Sequence, residues 1–407
     1  MTVNYGELDW KLIGAVLALS VIGIFLIMSA QHFANTDYER DYYLRQMLWL
    51  LIALGVFAAV IHLPLKLFDY GAYLLYGVAL VLLVAVLFVG HSKLSDARRF
   101  FDFGPINLAP SDIAKIALLL SLSRFFAYTH LPPSSKRRFA ISALLAAVPA
   151  ALILKQPDLG TSLVFFVLLF VLWFWSGLSV GFMLLTVSPI LSLVAASHWI
   201  SWAVYILVVL IVLFLLRPGM LVSIATVVIN LAFGAITPLL WNRLADYQKD
   251  RFLMFLDPGQ DARGAGYQII QSKIAIGSGG LFGKGFLGGS QSRLDFLPER
   301  HTDFIFSVLG EEFGLLGAVV VMLLFCFMFY RAIKVAARCR SRFASNVVMG
   351  ATGIIMFQFF VNIGMTLSLM PVTGLALPFV SYGGTALVLF WTLIGLIVSA
   401  EQHWQEY

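Results

Sequence analysis

The feature that most limits what this chain can fold into is a succession of long apolar segments, nearly free of charge and separated by brief polar breaks. A helix needs about 20 mostly apolar residues to cross roughly 30 Å of hydrocarbon. Reading apolar runs between breaks gives twelve such segments, near 11–30, 46–62, 71–90, 111–128, 139–155, 160–177, 179–197, 203–216, 219–240, 306–330, 346–368 and 381–400. With 60% of its residues hydrophobic and 12% charged, a chain of 407 residues is excluded from the water-soluble class. Barrel strands would alternate apolar and polar residues, and these solid runs do not. The expected fold class is all-α, a polytopic integral membrane protein with about twelve transmembrane helices.

Lysine and arginine in short loops set the orientation. With the N-terminus inside, inner segments carry twelve: Lys11, Lys66, Arg124, Lys136, Arg137, Arg138, Arg217, Arg331, Lys334, Arg338, Arg340 and Arg342. Short outer segments carry six: Arg40, Arg45, Lys93, Arg98, Arg99 and Lys155. Both termini are therefore expected in the cytoplasm, with the first run, Leu12 to Ala30, as a retained signal anchor. Residues 241–305 become one large extracytoplasmic loop holding eight cations, and loops beyond about 60 residues cross largely regardless of charge. Those cations call for an anionic partner, either lipid headgroups or a phosphorylated substrate. A net charge of +6 in basic membrane loops reflects topology and anionic lipid, so no nucleic-acid partner is expected. Cys326 and Cys339 imply no disulfide framework.

The outer loop contains GSGGLFGKG at 277–285, which invites a nucleotide-binding reading that fails. Gly285 follows Lys284 where a phosphate loop needs Ser or Thr, and Phe282 occupies a position where a dinucleotide fingerprint needs glycine. What remains is a flexible hinge, or backbone amides approaching phosphate or sugar. In residues 95–115, Arg98 and Arg99 precede Phe100 and Phe101, and Pro110-Ser111-Asp112 reads as a helix start with Lys115 one turn into the membrane. The tight turn 155–161 places Asp158 at the outer interface, where a lone carboxylate most often caps a helix. Two prolines and three glycines in residues 371–384 make an irregular segment at membrane depth, with Ser381 expected to cap the last helix.

Residues 293–314, RLDFLPERHTDFIFSVLGEEFG, gather five of the chain's 21 carboxylates in 22 positions: Asp295, Glu299, Asp303, Glu311 and Glu312. On a helix the four-residue spacing of the first three would align them along one face, and Pro298 argues that regular helix begins only about there. Asp303 is the last of them before Phe304-Ile305-Phe306 enters the bilayer, a setting that suits a general base. Glu299, His301 and Asp303 could hold a hard divalent cation. No zinc-ligand spacing is present, so a transient Mg²⁺ or Mn²⁺ shared with a substrate phosphate fits better than a tightly bound metal. Glu311 and Glu312 read as intramembrane pairing partners of Lys115 or another cation.

Together, GYQIIQSKIAIGSGGLFGKG, LPERHTDFIFSVLGEEFG, QPDLGTS, ARRFFDFGPINLAPSDIAK, NIGM and LPFVSYGG resemble the SEDS family, the shape, elongation, division and sporulation proteins, over residues 10 to 400 and in the family's order. LPERHTDFIF and Thr373 are most similar to its rod-elongation branch. Phe100 and Asp112 stand where relatives usually have Trp and Glu. The resemblance implies one membrane domain over 1–407, a core of ten spans, with 198–240 as an extra transmembrane hairpin. It also implies a peptidoglycan glycosyltransferase that polymerises lipid II at the outer face of the bacterial cytoplasmic membrane during cell elongation and releases undecaprenyl pyrophosphate. The implied partners are a class B penicillin-binding protein and other membrane proteins of the elongation complex.

By the same matching, the essential acid falls on Asp303. Arg99, Asp112, Lys115, Asp158, Gln271, Ser272, Lys273, Glu299, Asn362 and Ser381 are then expected to line or support an outward cavity beside Arg98 and His301. The implied reaction is inverting transfer, with Asp303 as base and Arg99, Lys115 and Lys273 neutralising the leaving pyrophosphate, alone or with a divalent cation. Two other readings stand beside it. A lipid II flippase or transporter would use the many spans and intramembrane charges, and a non-enzymatic scaffold would only activate the penicillin-binding partner.

Overall fold

The computed structural model describes residues 8–32, 37–90, 99–102, 107–243, 249, 266–290 and 299–402. Its principal helices are α1 (Trp10–Gln31), α2 (Tyr42–His62), α3 (Leu65–Val89), α4 (Pro110–Tyr128), α5 (Lys136–Leu154), α6 (Leu159–Trp175), α7 (Val180–Ala195), α8 (Trp199–Leu216), α9 (Met220–Arg243), α10 (Tyr267–Gly279), α11 (Ile305–Arg338), α12 (Arg342–Thr366) and α13 (Gly384–Gln402). All but α10 coincide with an apolar run in the sequence. Among the described residues, nine helices are long and apolar enough to cross a membrane, and α6 and α7 are shorter apolar helices. α4 has 19 residues but carries Asp112, Lys115 and Arg124. The chain is an all-helical polytopic membrane protein apart from a two-residue antiparallel ladder, β1 (Phe101–Asp102) with β2 (Asn107–Leu108), which leads into Pro110 at the start of α4.

The chain divides into two compact units. In the larger, Met1–Leu172 with Met254–Tyr407, α12 and α13 lie at the centre, with 78% and 67% of their apolar windows buried against 22% for α3. Small residues in GATG at 350–353 let neighbouring helices approach α12 closely. Trp391 of α13 is fully buried, set edge-on to Phe57 of α2 at 5.3 Å, and donates to Ser20 Oγ of α1 at 3.3 Å. Ser121 Oγ donates to the Ala72 carbonyl and Asn346 Nδ2 to that of Ser123, so polar side chains also join α3, α4 and α12.

The smaller unit, Trp173–Leu253, contains α7, α8 and α9, joined by a buried polar network. Asn230 Nδ2 donates to Ser188 Oγ at 2.8 Å, Ser192 Oγ donates to the Asn230 carbonyl at 2.7 Å, and Trp202 Nε1 donates to Ser192 Oγ at 3.0 Å. An apolar cavity of about 410 Å³ lies between α8 and α9, lined by Leu213, Phe214 and Val227 among others.

Three local expectations change. Helix does not begin near Pro298. Residues 299–304 form turns, and α11 starts at Ile305, so Glu299 and Asp303 share no helical face. Pro298 suits a first helical turn locally, but tertiary hydrogen bonds from Ser381 and Asn362 to the Thr302 and Asp303 carbonyls hold the corner open. The stretch 241–305 is not all loop, because α10 occupies Tyr267–Gly279. Ser381 does not cap the last helix, which begins at Gly384. Its hydroxyl instead accepts from Leu377 N at 2.9 Å and donates to the Thr302 carbonyl at 2.6 Å.

Candidate active site

The site is built on the corner 299–304. Within it, Thr302 N and Phe304 N both donate to the Glu299 carbonyl at 3.2 Å, and Thr302 Oγ1 reaches Glu299 Oε2 at 3.0 Å. Glu299 has φ +51°, a left-handed conformation costing on the order of 1 kcal/mol for a residue with a Cβ. The surroundings hold that conformation. The buried Arg300 donates through Nε to the Ala30 carbonyl at 2.6 Å and through a terminal nitrogen to Gln31 Oε1 at 3.4 Å, fixing the corner to the end of α1. Tyr382 N donates to the His301 carbonyl at 2.9 Å, and Ser381 takes the Thr302 carbonyl. From α12, the fully buried Asn362 donates to the Asp303 carbonyl at 3.0 Å and to the Leu375 carbonyl at 2.8 Å. Four consecutive residues, Arg300 to Asp303, are thus tied to three segments, the end of α1, residues 381–382 and α12, and the Asp303 side chain stays half-buried rather than enclosed.

His301 shares a hydrogen bond with Gln31 Nε2 at 2.7 Å and packs its ring against Tyr42 at 4.9 Å and Tyr382 at 5.7 Å. Burial lowers its pKa below the usual 6.5; Glu299 opposes that shift and Arg300 adds to it. The imidazole is therefore predominantly neutral at pH 7.

A second corner lies at 155–161. Asp158 caps α6, accepting from Thr161 N at 3.0 Å and Thr161 Oγ1 at 2.9 Å, as a carboxylate in such a turn should. Arg99 donates to the Gln156 carbonyl at 3.1 Å and the Pro157 carbonyl at 2.5 Å, with Asp158 at 3.9 Å. Gly160 lies so close to the irregular 373–375 segment that a Cβ there would meet the Thr373 carbonyl at 2.5 Å. On its other side, a Cβ at Gly374 would stand 3.6 Å from Asp303 Oδ2. One short backbone segment therefore joins the Asp158–Arg99 corner to Asp303.

Lys115 is not paired with Glu311 or Glu312. It lies buried one turn into α4 and donates to Asp112 Oδ1 at 2.9 Å, because the i, i+3 spacing puts the two on one face. Glu311 instead accepts from Lys284 Nζ at 2.7 Å, Ser290 N at 2.8 Å and Ser290 Oγ at 2.9 Å. Glu312, also buried, accepts from the Ser29 hydroxyl. Ser272 of α10 is buried, sharing a 2.7 Å bond with Ser307 and donating to the Thr366 carbonyl; Gln271 is half-buried and Lys273 exposed. Arg98 and Asp295 lie outside the described residues.

The sequence reading passed over Gln31, Gln46, Arg300 and Gly374. Gln46 bonds both the Ser381 carbonyl and Gly383 N at 3.2 Å. Two of these carried a usable signal, since amides inside or ending apolar helices rarely lack a partner. Among the described residues no group of three or more His, Cys, Asp and Glu side chains is placed to hold a metal ion.

The family model of cell cycle proteins comprising FtsW, RodA and SpoVE matches residues 9–205 and 190–406. The chain is 39% identical to the peptidoglycan glycosyltransferase MrdB of Escherichia coli strain K12, covering 98% of this chain and 94% of that one. It is 32% identical to the peptidoglycan glycosyltransferase RodA of Treponema pallidum, over 97% of each. Its fold is similar to a solved chain of a peptidoglycan synthase complex described as coordinating polymerization and crosslinking. There the TM-score is 0.71 at 31% identity, over 98% of this chain and 99% of that one.

Proposed function

The chain belongs to the FtsW, RodA and SpoVE family and is a peptidoglycan glycosyltransferase of the RodA and MrdB type, and we propose that Asp303 is the base with which it extends glycan strands. The substrate is lipid II, met at the outer face of the cytoplasmic membrane. The protein crosses that membrane twelve times as one domain, with both termini inside, 198–240 as the additional hairpin and 241–305 as the outer segment. It acts within a synthase complex beside a transpeptidase, a class B penicillin-binding protein of the elongation machinery.

In the proposed step, the 4-hydroxyl of the acceptor's N-acetylglucosamine attacks C1 of the donor's α-linked muramyl sugar. The new β-1,4 C–O bond forms as the bond to pyrophosphate breaks, the hydroxyl proton passes to Asp303, and undecaprenyl pyrophosphate leaves with the bonding electrons. Arg99 and Lys273 meet its charge. Lys115 shares its ammonium with Asp112, so it offers less net positive charge than a lone lysine. A Mg²⁺ or Mn²⁺ ion would have to draw most of its oxygen ligands from pyrophosphate and water, with Asp303 as a single protein ligand.

The observation that carries the assignment is the contrast in settings. Asp303 is half-buried with its backbone clamped by Asn362, while Glu311 and Glu312 are buried almost completely, where a sugar hydroxyl could not reach them. The test is polymerisation of lipid II by the purified complex with the transpeptidase blocked, with and without divalent cation. Asp303→Asn should lower the rate by about 10² to 10⁴. Near-normal polymerisation by that variant would sink the assignment.

A further inference from the structure

α11 is broken. At Gly314 the backbone takes φ +61° and ψ −159°, so Ile305–Phe313 is a separate short rod ahead of the rest of the helix. A break inside a membrane helix orphans backbone groups that no water can satisfy. The Gly-rich stretch after α10 supplies the missing partners. Leu315 N and Leu316 N, just beyond the break, donate to the Gly280 and Leu281 carbonyls at 2.9 and 3.1 Å. On the near side, the Glu311 and Glu312 carbonyls accept from Lys284 N at 3.0 Å and Gly285 N at 2.9 Å. GSGGLFGKG is thus neither a phosphate loop nor a free hinge, but a splice across a helix break. α10 and the rod are further tied by the Ser272–Ser307 bond.

The rod carries Asp303 two residues before its first residue, and the Glu311 carboxylate near its other end. We infer that Glu311 is a positioning residue, which through Lys284 and Ser290 sets the tilt of the Ile305–Phe313 rod and thereby the place of the Asp303 carboxylate. This rests on the base assignment above. The leverage follows from length. Nine helical residues span about 14 Å, so a tilt of about 4° at Gly314 moves the Asp303 end by about 1 Å. A displacement of that size costs about 10² in rate when a reacting group must be held in place. Glu311 suits the task because one of its oxygens takes three donors from the 284–290 segment, while the backbone of the same residue bonds Lys284. The ion pair lies beside the break, where a small change in loop position becomes a change in angle.

The test measures kcat and KM for lipid II in the purified complex, with thermal stability alongside. Glu311→Gln should lower kcat by about 10-fold to 10²-fold while KM stays within about twofold. Lys284→Gln, which leaves both Ser290 donors in place, should lower it less. Lys284→Arg, which keeps a cation for the carboxylate, should retain most of the activity. Full activity in Glu311→Gln overturns the inference. So does a loss confined to KM. If Glu311→Gln does not fold, Lys284→Gln decides, and an unchanged kcat in it is fatal to the idea. If Asp303→Asn is active yet Glu311→Gln lowers kcat, the base assignment fails and the lever stands.

Discussion

The two ends of the rod Ile305–Phe313 hold carboxylates only a few residues apart in sequence, yet they do opposite things. At one end, the backbone of Asp303 is fixed and its side chain is half-buried. At the other, the side chains of Glu311 and Glu312 are enclosed and hold structure. The difference lies in burial: Glu311 and Glu312 are 1% exposed and accept from protein donors, whereas Asp303 is half-buried and fixed through its carbonyl.

The sharpest way to break this comparison is to remove one acid from each end and read activity and stability separately. Asp303→Asn should abolish most polymerisation, about 10² to 10⁴, with little change in the thermal midpoint. Glu312→Ala leaves the Ser29 hydroxyl without its acceptor and should cost about 1–3 kcal/mol of stability while the surviving folded protein still polymerises. A stable but inactive Glu312→Ala would reverse the comparison.

A smaller effect is expected where the clamp on the Asp303 backbone is loosened without touching the acid. Asn362→Ala withdraws both donors from the Asp303 and Leu375 carbonyls, and kcat should fall by about 10-fold or more through misplacement of the corner. Asn362→Asp, which keeps the size but not the donors, should resemble the alanine variant; wild-type kcat in either would mean that the clamp is incidental.

The smallest effect concerns pH. His301 titrates below its ordinary 6.5 in the folded protein, so folding favours the neutral ring. Its contribution to stability is present above about pH 6.5 and is lost as pH falls through the lowered folded value. Protonation there also places a second cation beside Arg300, two residues from Asp303. Stability of the wild-type corner, followed by hydrogen exchange at Thr302 and Phe304, should decline from pH 7 to 5. In His301→Gln that decline should be shallower, and equal slopes would remove His301 from the account.

Much of this was legible in the sequence, and the reason is the solvent. Hydrocarbon accepts only long apolar helices, so the runs of leucine, valine and phenylalanine marked where helices α1 to α9 and α11 to α13 would lie. Pro110 and Asp158 were readable because helix starts and caps depend on neighbours in sequence. Pairing of Glu311 with Lys115 or another cation was expected, and tertiary packing made that cation Lys284, because a buried acid announces only that it needs a partner. The break at Gly314 was hidden because glycine inside an apolar run is compatible with continuous membrane helix.

What the sequence determined by itself was therefore the medium and the class of fold, since composition and local periodicity carry that information. How each acid is held, Asp303 half-buried and Glu311 and Glu312 enclosed, was decided by tertiary structure alone. Arg300 meeting α1, Asn362 meeting the Asp303 carbonyl, and the 280–285 segment mending a broken helix join residues far apart in the chain. Such bonds depend on where distant backbones come to lie once the helices have packed, and no spacing within a single segment encodes that.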